Sequence, residues 1–276
     1  MKKQFAQPGK AVVISDCRDD NARVRVTTRV AALFPNINVD FIGVQNDIEA
    51  AGCLVDVIDA ALGRPVLILV NVAPRNGKHH RKNGSPFGYI QVGKAHIFGT
   101  MDGLSFSLLG YVAPQRGVRV YDTDEVVKYF GIPNELQEHI ATSQFRSYEF
   151  LPRLAAHVLV GKRLHGKLQY PSDQEQLAAP TVWWVDVFGN AKLTVTAAQI
   201  GFTPGALVGI KIGKKKVLVK CYERLPDIPL GELGLTVGSS GFGVNRWLEL
   251  MIKRGDAARA LNLKIGQTVF IKNNHS

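Results

Sequence analysis

The first 72 residues alternate short apolar runs with segments of helical periodicity. Apolar runs at 11–15, 39–44 and 66–72 predict buried strands, because strands covered on both faces are apolar almost throughout. The segments 22–34 and 47–62 carry apolar side chains at helical spacing and end at Pro35 and Gly63, as helices often do. The order strand, helix, strand, helix, strand predicts a mostly parallel sheet covered by helices.

The same texture continues to residue 168, so we predict an α/β domain over residues 1–168. The elements expected after residue 72 are a hairpin at 87–92 and 94–99, a strand at 118–121, and helices at 126–130, 133–140 and 151–160.

A polar segment with two prolines, residues 169–181, predicts a linker between two domains. Beyond it, short β-type runs are separated by glycine turns, which predicts a smaller all-β, barrel-like domain over residues 182–276. A Ser/Gly-rich stretch at 239–243 is expected to be a mobile loop. The predicted strands are 181–187, 192–196, 207–212, 216–222, 235–237, 247–252 and 268–272.

Composition changes this picture little. The chain has 276 residues, of which 46% are hydrophobic and 21% charged, as in a soluble globular protein with a real core. No secretory signal is evident, and the longest apolar run, 65–72, is too short to span a membrane. Three widely spaced cysteines lack metal-ligand spacing, which favours reduced thiols in the cytoplasm and no metal site.

The net charge of +11 points to an anionic partner. Basic residues cluster at 75–82 and 211–216, which are either solvated loop tips or phosphate contacts. Aromatic residues make up only 8% of the chain and no aromatic RNA-binding strand is present, so nucleic acid is the less favoured partner. Nucleic-acid binding would weaken steeply with salt, whereas nucleoside binding would not.

Two places suggest ligand chemistry. Residues 182–190 (Val-Trp-Trp-Val-Asp-Val-Phe-Gly-Asn) form an apolar strand ending in an acid, an aromatic ring and an amide, which suits either a Gly-Asn turn or a planar heterocycle. Asp16 follows the first strand, where open α/β sheets bind ligands. It can hold two ribose hydroxyls, or it can cap the next helix.

With both halves in view, the chain resembles the S-adenosylmethionine (SAM) hydroxide adenosyltransferase and fluorinase/chlorinase superfamily over roughly residues 10–272. The order and spacing of five segments carry the resemblance. They are Ser-Asp-Cys at 15–17, Gly-Thr-Met-Asp-Gly-Leu at 99–104, the segment 145–160, Val-Asp-Val-Phe-Gly-Asn at 185–190, and Leu-Glu-Leu at 248–250 with Gly-Asp-Ala-Ala at 255–258.

The resemblance implies a homotrimer that binds SAM between the α/β domain of one subunit and the barrel of its neighbour. Asp16 would hold the ribose diol, while Phe188 and Asn190 would contact adenine. The reaction would be attack on the ribose C5′ carbon with methionine as the leaving group. SAM would be the substrate or ligand, and no separate cofactor is implied.

The positions that activate water in this family differ here. The family's Asp matches Ala73, its Arg falls at His80 or, shifted by one, Arg81, and its His matches Arg146. Asp102 takes the place of an asparagine. The acid near the methionine amine matches Asn21, and Ser147 matches the halide-contacting serine.

Three interpretations stay open: a hydrolase with a rearranged site, a halide-using variant, and a relative that binds SAM or adenosine without turnover. The candidate catalytic residues are Arg146, His80, Asp102 and Ser147. The candidate substrate-binding residues are Asp16, Asn21, Ala73, Asn76, Phe145, Asp186, Phe188, Asn190, Asn245 and Arg246.

Overall fold

The computed structural model describes residues 8–73, 84–143, 146–170 and 176–273. They fall into two compact units, Met1–Gln176 and Leu177–Ser276. Each unit contains one seven-stranded sheet. Residues 75–82 of the first basic run and 171–175 of the expected linker lie outside the described residues.

The sheet of the N-terminal unit has the order β2-β1-β3-β5-β4-β6-β7. The strands β2, β1, β3 and β5 are parallel, and β4, β6 and β7 continue the sheet in antiparallel pairs. The strands are β1 (Lys10–Ser15), β2 (Asn38–Gly43), β3 (Val66–Asn71), β4 (Phe87–Val92), β5 (Ala95–Thr100), β6 (Val118–Tyr121) and β7 (Lys167–Gln169).

Local capping chemistry starts several helices of this unit. The side chains of Asp19, Asn46 and Asp122 accept hydrogen bonds from backbone N–H groups of the first turns of α1, α2 and α3. The helices are α1 (Asp20–Leu33), α2 (Asp47–Ala60), α3 (Thr123–Val126), α4 (Asn134–Thr142) and α5 (Arg146–Leu159), with 3₁₀ turns at Leu109–Tyr111 and Val127–Tyr129.

One core cluster joins the sheet to α1 and α5. Val13, Leu69 and Phe98 contribute from β1, β3 and β5, and Phe150 and Leu154 contribute from α5. These side chains are almost fully buried. The cluster fixes α1 and α5 against the sheet through the hydrophobic effect.

The predicted alternation of strands and helices is confirmed. The largest difference at a boundary in this unit is at α5, which begins at Arg146, five residues before the predicted start at residue 151. Pro152 lies inside this helix, beyond its first turn. Glu149, upstream of Pro152, forms ion pairs with Arg29 of α1 and Arg153 of α5, which holds the additional turn in place.

The C-terminal unit is an antiparallel sheet curled into a nearly closed barrel, as predicted. Its order is β14-β10-β11-β12-β13-β9-β8, with one short parallel pairing between β11 and β12. The edges approach each other where Thr181 bridges Thr268 and the N–H of Val182 donates to the carbonyl of Gln267. The elements are β8 (Val182–Val185), β9 (Ala191–Thr196), α6 (Ala197–Ile200), β10 (Leu207–Ile212), β11 (Lys215–Cys221), β12 (Leu233–Phe242), β13 (Asn245–Ile252), α7 (Ala257–Leu261) and β14 (Val269–Asn273).

The stretch 239–243 was expected to be a mobile loop, and that prediction was wrong. It belongs to the β12–β13 hairpin, in which Gly241 pairs with Arg246 and Phe242 with Asn245. A bulge lies between Val237 and Gly241, and Gly241 has a φ of +123°. Serine and glycine are therefore used to form a bulge, which needs conformations that other residues rarely adopt.

Candidate functional site

A cavity of about 660 Å³ lies at the carboxyl ends of β1 and β3, between α1 and α5. This edge is where open α/β sheets bind ligands, and the volume is within the range of small-molecule sites. The polar groups at the cavity come from four elements or the segments next to them: Ser15, Asp16, Cys17, Arg18, Asp19, Asn21, Arg25, Asn71, Ser147 and Tyr148.

Asp16 is oriented by the chain around it. One carboxylate oxygen accepts a hydrogen bond from the backbone N–H of Ala73 at 3.2 Å. Its own N–H donates to the carbonyl of Asn71 at 3.3 Å, which continues the β1–β3 pairing. The cap of α1 is Asp19, whose carboxylate accepts from the N–H of Ala22 at 3.0 Å. Asp16 is therefore not used as a helix cap and lines the cavity instead.

Ser15 has a structural role at the base of the cavity. Its hydroxyl oxygen accepts from the backbone N–H of Cys17 at 3.1 Å and from the amide nitrogen of Asn71 at 3.3 Å. The side chain is buried. This bonding closes a tight turn after β1.

Cys17 is a half-buried thiol beside a carboxylate. Burial raises the pKa of Cys17 and the negative charge of Asp16 raises it further. Its Sγ lies 3.8 Å from a carboxylate oxygen of Asp16. Because the thiolate is the nucleophilic form, Cys17 lacks the environment of a reactive cysteine.

A cationic and aromatic cluster forms the α1–α5 side of the cavity. The guanidinium groups of Arg25 and Arg29 each lie 4.7 Å from the ring centre of Tyr148. Arg29 also donates to the Tyr148 hydroxyl at 3.0 Å and pairs with Glu149. These contacts hold Tyr148 in place while Arg25 remains largely exposed at the cavity.

The structure brings together three predicted site residues, Asp16, Asn21 and Ser147, which all line this cavity. Ala73 is joined to them through its N–H bond to Asp16. Four other predicted site residues are not described, so they are not placed relative to the cavity. Asn76, His80 and Phe145 lie outside the described residues, as does the side chain of Arg146.

Asp102 is buried at the turn that follows β5, and it is not among the described residues that line the cavity. One of its oxygens accepts from the hydroxyl of Ser85 at 2.9 Å and the other from the N–H of Gly103 at 3.1 Å. Both oxygens thus take part in the local turn.

In the C-terminal unit, Asp186 organises the turn between β8 and β9. One carboxylate oxygen accepts from the N–H groups of Phe188 and Asn190, each at 2.9 Å, and the other accepts from the Asn190 side-chain amide at 2.9 Å. Asn190 is buried, whereas Val187 and Phe188 are 94% and 73% exposed. The turn therefore presents an exposed aromatic ring on a firmly bonded base.

Gly189 is required by this turn. Its φ is +80°, and an added Cβ would lie 2.1 Å from a carboxylate oxygen of Asp256. Asp256 caps α7 by accepting from the N–H of Arg259, and Ala258 donates to the carbonyl of Gly189 at 2.9 Å. The Gly-Asn signal in the sequence thus marks both a tight turn and a close approach to α7.

Asn245 and Arg246 lie at the other end of β13 from this turn. In the β9–β13 pairing, Leu250 is opposite Ala191, the residue after Asn190. Arg246 precedes Leu250 by four positions, so it lies roughly 13 Å away along the strand. Its guanidinium donates to the carbonyls of Ser239 and Gly241, each at 3.1 Å, across the hairpin. Within this unit, the two predicted groups do not meet.

The cavity residues that the sequence did not identify as site residues include Arg25, Asn71 and Tyr148. A signal existed for Arg25, because it follows Asn21 by four positions and so shares its helix face. Asn71 lies near the carboxyl end of the predicted strand 66–72, which is the end where open α/β sheets bind ligands, but no separate signal in the sequence marked it. Tyr148 fell outside the predicted helix because the start of α5 was placed too late.

The C-terminal unit is the part of the chain that matches a known protein family. Residues 180–270 match the family model for the SAM hydroxide adenosyltransferase C-terminal domain. This match covers residues of the C-terminal unit only; it supports a SAM-related function and confirms the resemblance to that superfamily. No curated protein matches the chain.

Two solved structures share the fold over nearly the whole chain. One is an uncharacterized conserved protein from Thermotoga maritima, with a TM-score of 0.68 and 18% identity, covering 95% of this chain and 99% of that one. The other is a conserved hypothetical protein from Thermus thermophilus, with a TM-score of 0.63 and 22% identity, covering 96% of this chain and 100% of that one.

Among the described residues, no three His, Cys, Asp or Glu side chains are grouped so as to hold a metal ion. No helix in the described part of the chain is long and apolar enough to cross a membrane.

Proposed function

We propose that the cavity of the N-terminal unit binds the nucleoside part of SAM, with the Asp16 carboxylate on the ribose diol. The observation that carries the proposal is the position of Asp16 at the cavity, where its carboxylate is bonded to the chain only through the N–H of Ala73 and the Cys17 thiol among the described contacts. A carboxylate has about four lone-pair positions. It therefore keeps acceptor capacity for two hydroxyl groups.

The adenine contacts would come from Phe188 and Asn190 of a neighbouring subunit in a homotrimer, as the resemblance implies. The 73% exposure of Phe188 supports this, because an aromatic ring on a rigid turn is a ready surface for a heterocycle. Asn190 already donates to Asp186 through its amide nitrogen. Its part in adenine recognition would then fall to its carbonyl oxygen, which can accept from the adenine amino group.

We propose further that the protein hydrolyses SAM to adenosine and L-methionine. A water oxygen forms a bond to C5′ while the C5′–S bond breaks, and the electron pair of that bond neutralises the sulfonium. Methionine leaves without needing a proton, and the water loses one proton to a base or to solvent. Because no described residue of the cavity is a histidine, we expect slow turnover, as loss of a general base costs about 10²–10⁴ in rate.

A halide-using reaction is the second candidate. Ser147 lines the same cavity as Asp16, and Arg18 and Arg25 add positive charge there. A hydroxyl donor near two cations would favour an anion over water. In that reaction chloride would form the bond to C5′, the C5′–S bond would break as before, and the product would be 5′-chloro-5′-deoxyadenosine.

The test is to incubate the purified full chain with SAM, with and without chloride, and to quantify products by chromatography and mass spectrometry. Adenosine and methionine formed in equal amounts, and lost with Asp16→Asn, would support hydrolysis. Chloroadenosine would support the halide reaction. Recovery of unchanged SAM both with and without chloride would rule out catalysis.

Calorimetric titration with SAM and adenosine tests binding independently of turnover. Saturable binding without products would support the nucleoside site and indicate that the protein binds SAM without turnover. Failure of both ligands to bind would remove the proposed site altogether.

A further inference from the structure

We infer that the outer face of β14, β10 and β11 is a binding surface for single-stranded nucleic acid. It is referred to below as the lysine face and consists of Gly209, Lys211, Lys216, Leu218, Phe270 and Lys272. These residues line a second concavity of about 600 Å³, in the C-terminal unit. The strands also line it with Ile210 and Val217.

The register of the strands brings these residues together. Lys211 is directly opposite Lys216 on one side and Phe270 on the other. Two residues away along β10 and on the same face, Gly209 is opposite Leu218 on one side and Lys272 on the other. Side chains directly opposite on one face have Cβ atoms about 4.5–5.5 Å apart. Gly209 has no side chain, so the middle of the second row is a hollow bounded by Leu218 and Lys272.

The charge on the lysine face is unbalanced. The strands Leu207–Ile212, Lys215–Cys221 and Val269–Asn273 contain no Asp or Glu. Like charges directly opposite each other destabilise a sheet, and Lys211 and Lys216 are such a pair. The arrangement therefore costs folding stability unless an anion neutralises it, which is the charge complementarity that a phosphate chain supplies.

Exposed apolar groups favour a single strand over a simple phosphate or a duplex. Phe270 is 51% exposed and Leu218 is 62% exposed, both among the lysines. An aromatic ring on a β surface stacks with an unpaired base, while neighbouring lysines contact the backbone phosphates. In a duplex the bases are already stacked, so Phe270 would gain nothing. The sequence disfavoured nucleic acid because aromatic residues are few, but the fold places one of them among the lysines.

The experiment measures the binding of a fluorescently labelled oligothymidine to the full chain by anisotropy, between about 50 and 200 mM salt. The test variant is K211Q/K216Q. The matched control is K94Q/K264Q, which removes the same charge from exposed lysines on other surfaces. We expect the slope of log affinity against log salt to become shallower by about 1.4 in the test variant, since each phosphate contact contributes about 0.7. The control should keep the parent slope.

Loss of folding should not explain a loss of binding in K211Q/K216Q. Removing two like charges that lie opposite each other should leave thermal stability equal or slightly higher. A second pair tests stacking: Phe270→Ala should weaken binding about 5- to 150-fold, and Phe270→Leu, which keeps apolar area without an aromatic ring, should not restore it.

Any of four results would overturn the inference. The first is no binding at low salt, and the second is an equal loss in the test and control lysine variants. The third is a preference for vesicles of phosphatidylcholine and phosphatidylserine over the oligonucleotide, which would assign the lysine face to a lipid surface. Tighter binding of a duplex of the same length would also count against it, since charge alone would then explain the affinity.

Discussion

The carboxylate of Asp16 accepts a hydrogen bond from the backbone N–H of Ala73 at 3.2 Å, which ties the end of β1 to the segment after β3. The resemblance predicts that Ala73 matches the position at which that family has a water-activating acid. Here this position contributes a main-chain donor instead of a carboxylate. In the proposed site this bond would orient the carboxylate for the ribose, but it supplies no base.

Replacing Asp16 with Asn should weaken the binding of SAM and adenosine by about 10- to 100-fold. The reason is that a hydrogen bond to a charged acceptor contributes about 1.5–3 kcal/mol, and the amide can accept only at one atom. Titration calorimetry measures the effect. Asp20→Asn is the control, because Asp20 is exposed on α1 and pairs only with Arg23 among the described contacts. Equal loss in both variants would contradict a specific role of Asp16.

Phe188→Ala should weaken adenosine binding by about 3- to 10-fold, as expected for a lost aromatic contact of about 0.5–1.5 kcal/mol. The melting temperature should not change, because the ring is 73% exposed. Val187→Ala is the matched control on the same turn, at 94% exposure. If adenosine affinity survives Phe188→Ala, the ring does not contact the base.

Gly189→Ala should lower the free energy of unfolding by about 2–5 kcal/mol. A left-handed backbone costs a residue with a Cβ about 1–2 kcal/mol, and forcing atoms into a packed site adds about 1–3 kcal/mol. Here the added Cβ would collide with the Asp256 carboxylate. Gly213→Ala is the control, since its φ is +58° with no heavy atom within 4 Å of the added Cβ. Urea unfolding of both variants should isolate the collision, and equal losses would refute it.

Stability should fall as the pH decreases below about 6.5, in part because of His96 and His157. Burial lowers the pKa of His96 and of His157 below the ordinary value of 6.5. In that window the unfolded chain takes up protons that the folded chain does not, so acid favours unfolding. Above 6.5 both states are neutral at these residues and the contribution is constant.

His96→Gln tests this by urea unfolding at several pH values on either side of 6.5. The variant loses the Tyr89 hydroxyl contact with His96, which is 2.9 Å long, so its stability should be lower at every pH. Its pH slope below 6.5 should nevertheless be shallower than that of the parent. A parallel pair of curves would exclude His96 as a source of the slope.

The sequence predicted elements better than it predicted contacts. Residues 11–15 and 66–72 identified β1 and β3 because apolar runs reflect burial on both faces. Asp16 was found because it follows such a run. The α1–α5 side of the cavity could not be predicted, because Arg25 and Tyr148 meet across more than a hundred residues. Asn245 and Arg246 were predicted beside the right strand, β13. The sequence did not indicate at which end of that strand, and so of the barrel, they lie.

The proposed trimer gives a prediction that separates sites shared between subunits from sites within one. A chain carrying Asp16→Ala and a chain carrying Phe188→Ala should each bind SAM weakly alone. If each site combines the N-terminal unit of one subunit with the Phe188 turn of another, random mixing of the two chains by co-expression should restore about a quarter of the sites to parent affinity.

The restored fraction can be counted by titration calorimetry on the co-expressed, co-purified mixture, with its mass measured by light scattering. The control is a mixture assembled from separately purified variants without subunit exchange, which should contain no parent-affinity sites. A monomeric mass, or an exchanged mixture that binds no better than either variant alone, would contradict sharing, because every site would then carry one of the two defects.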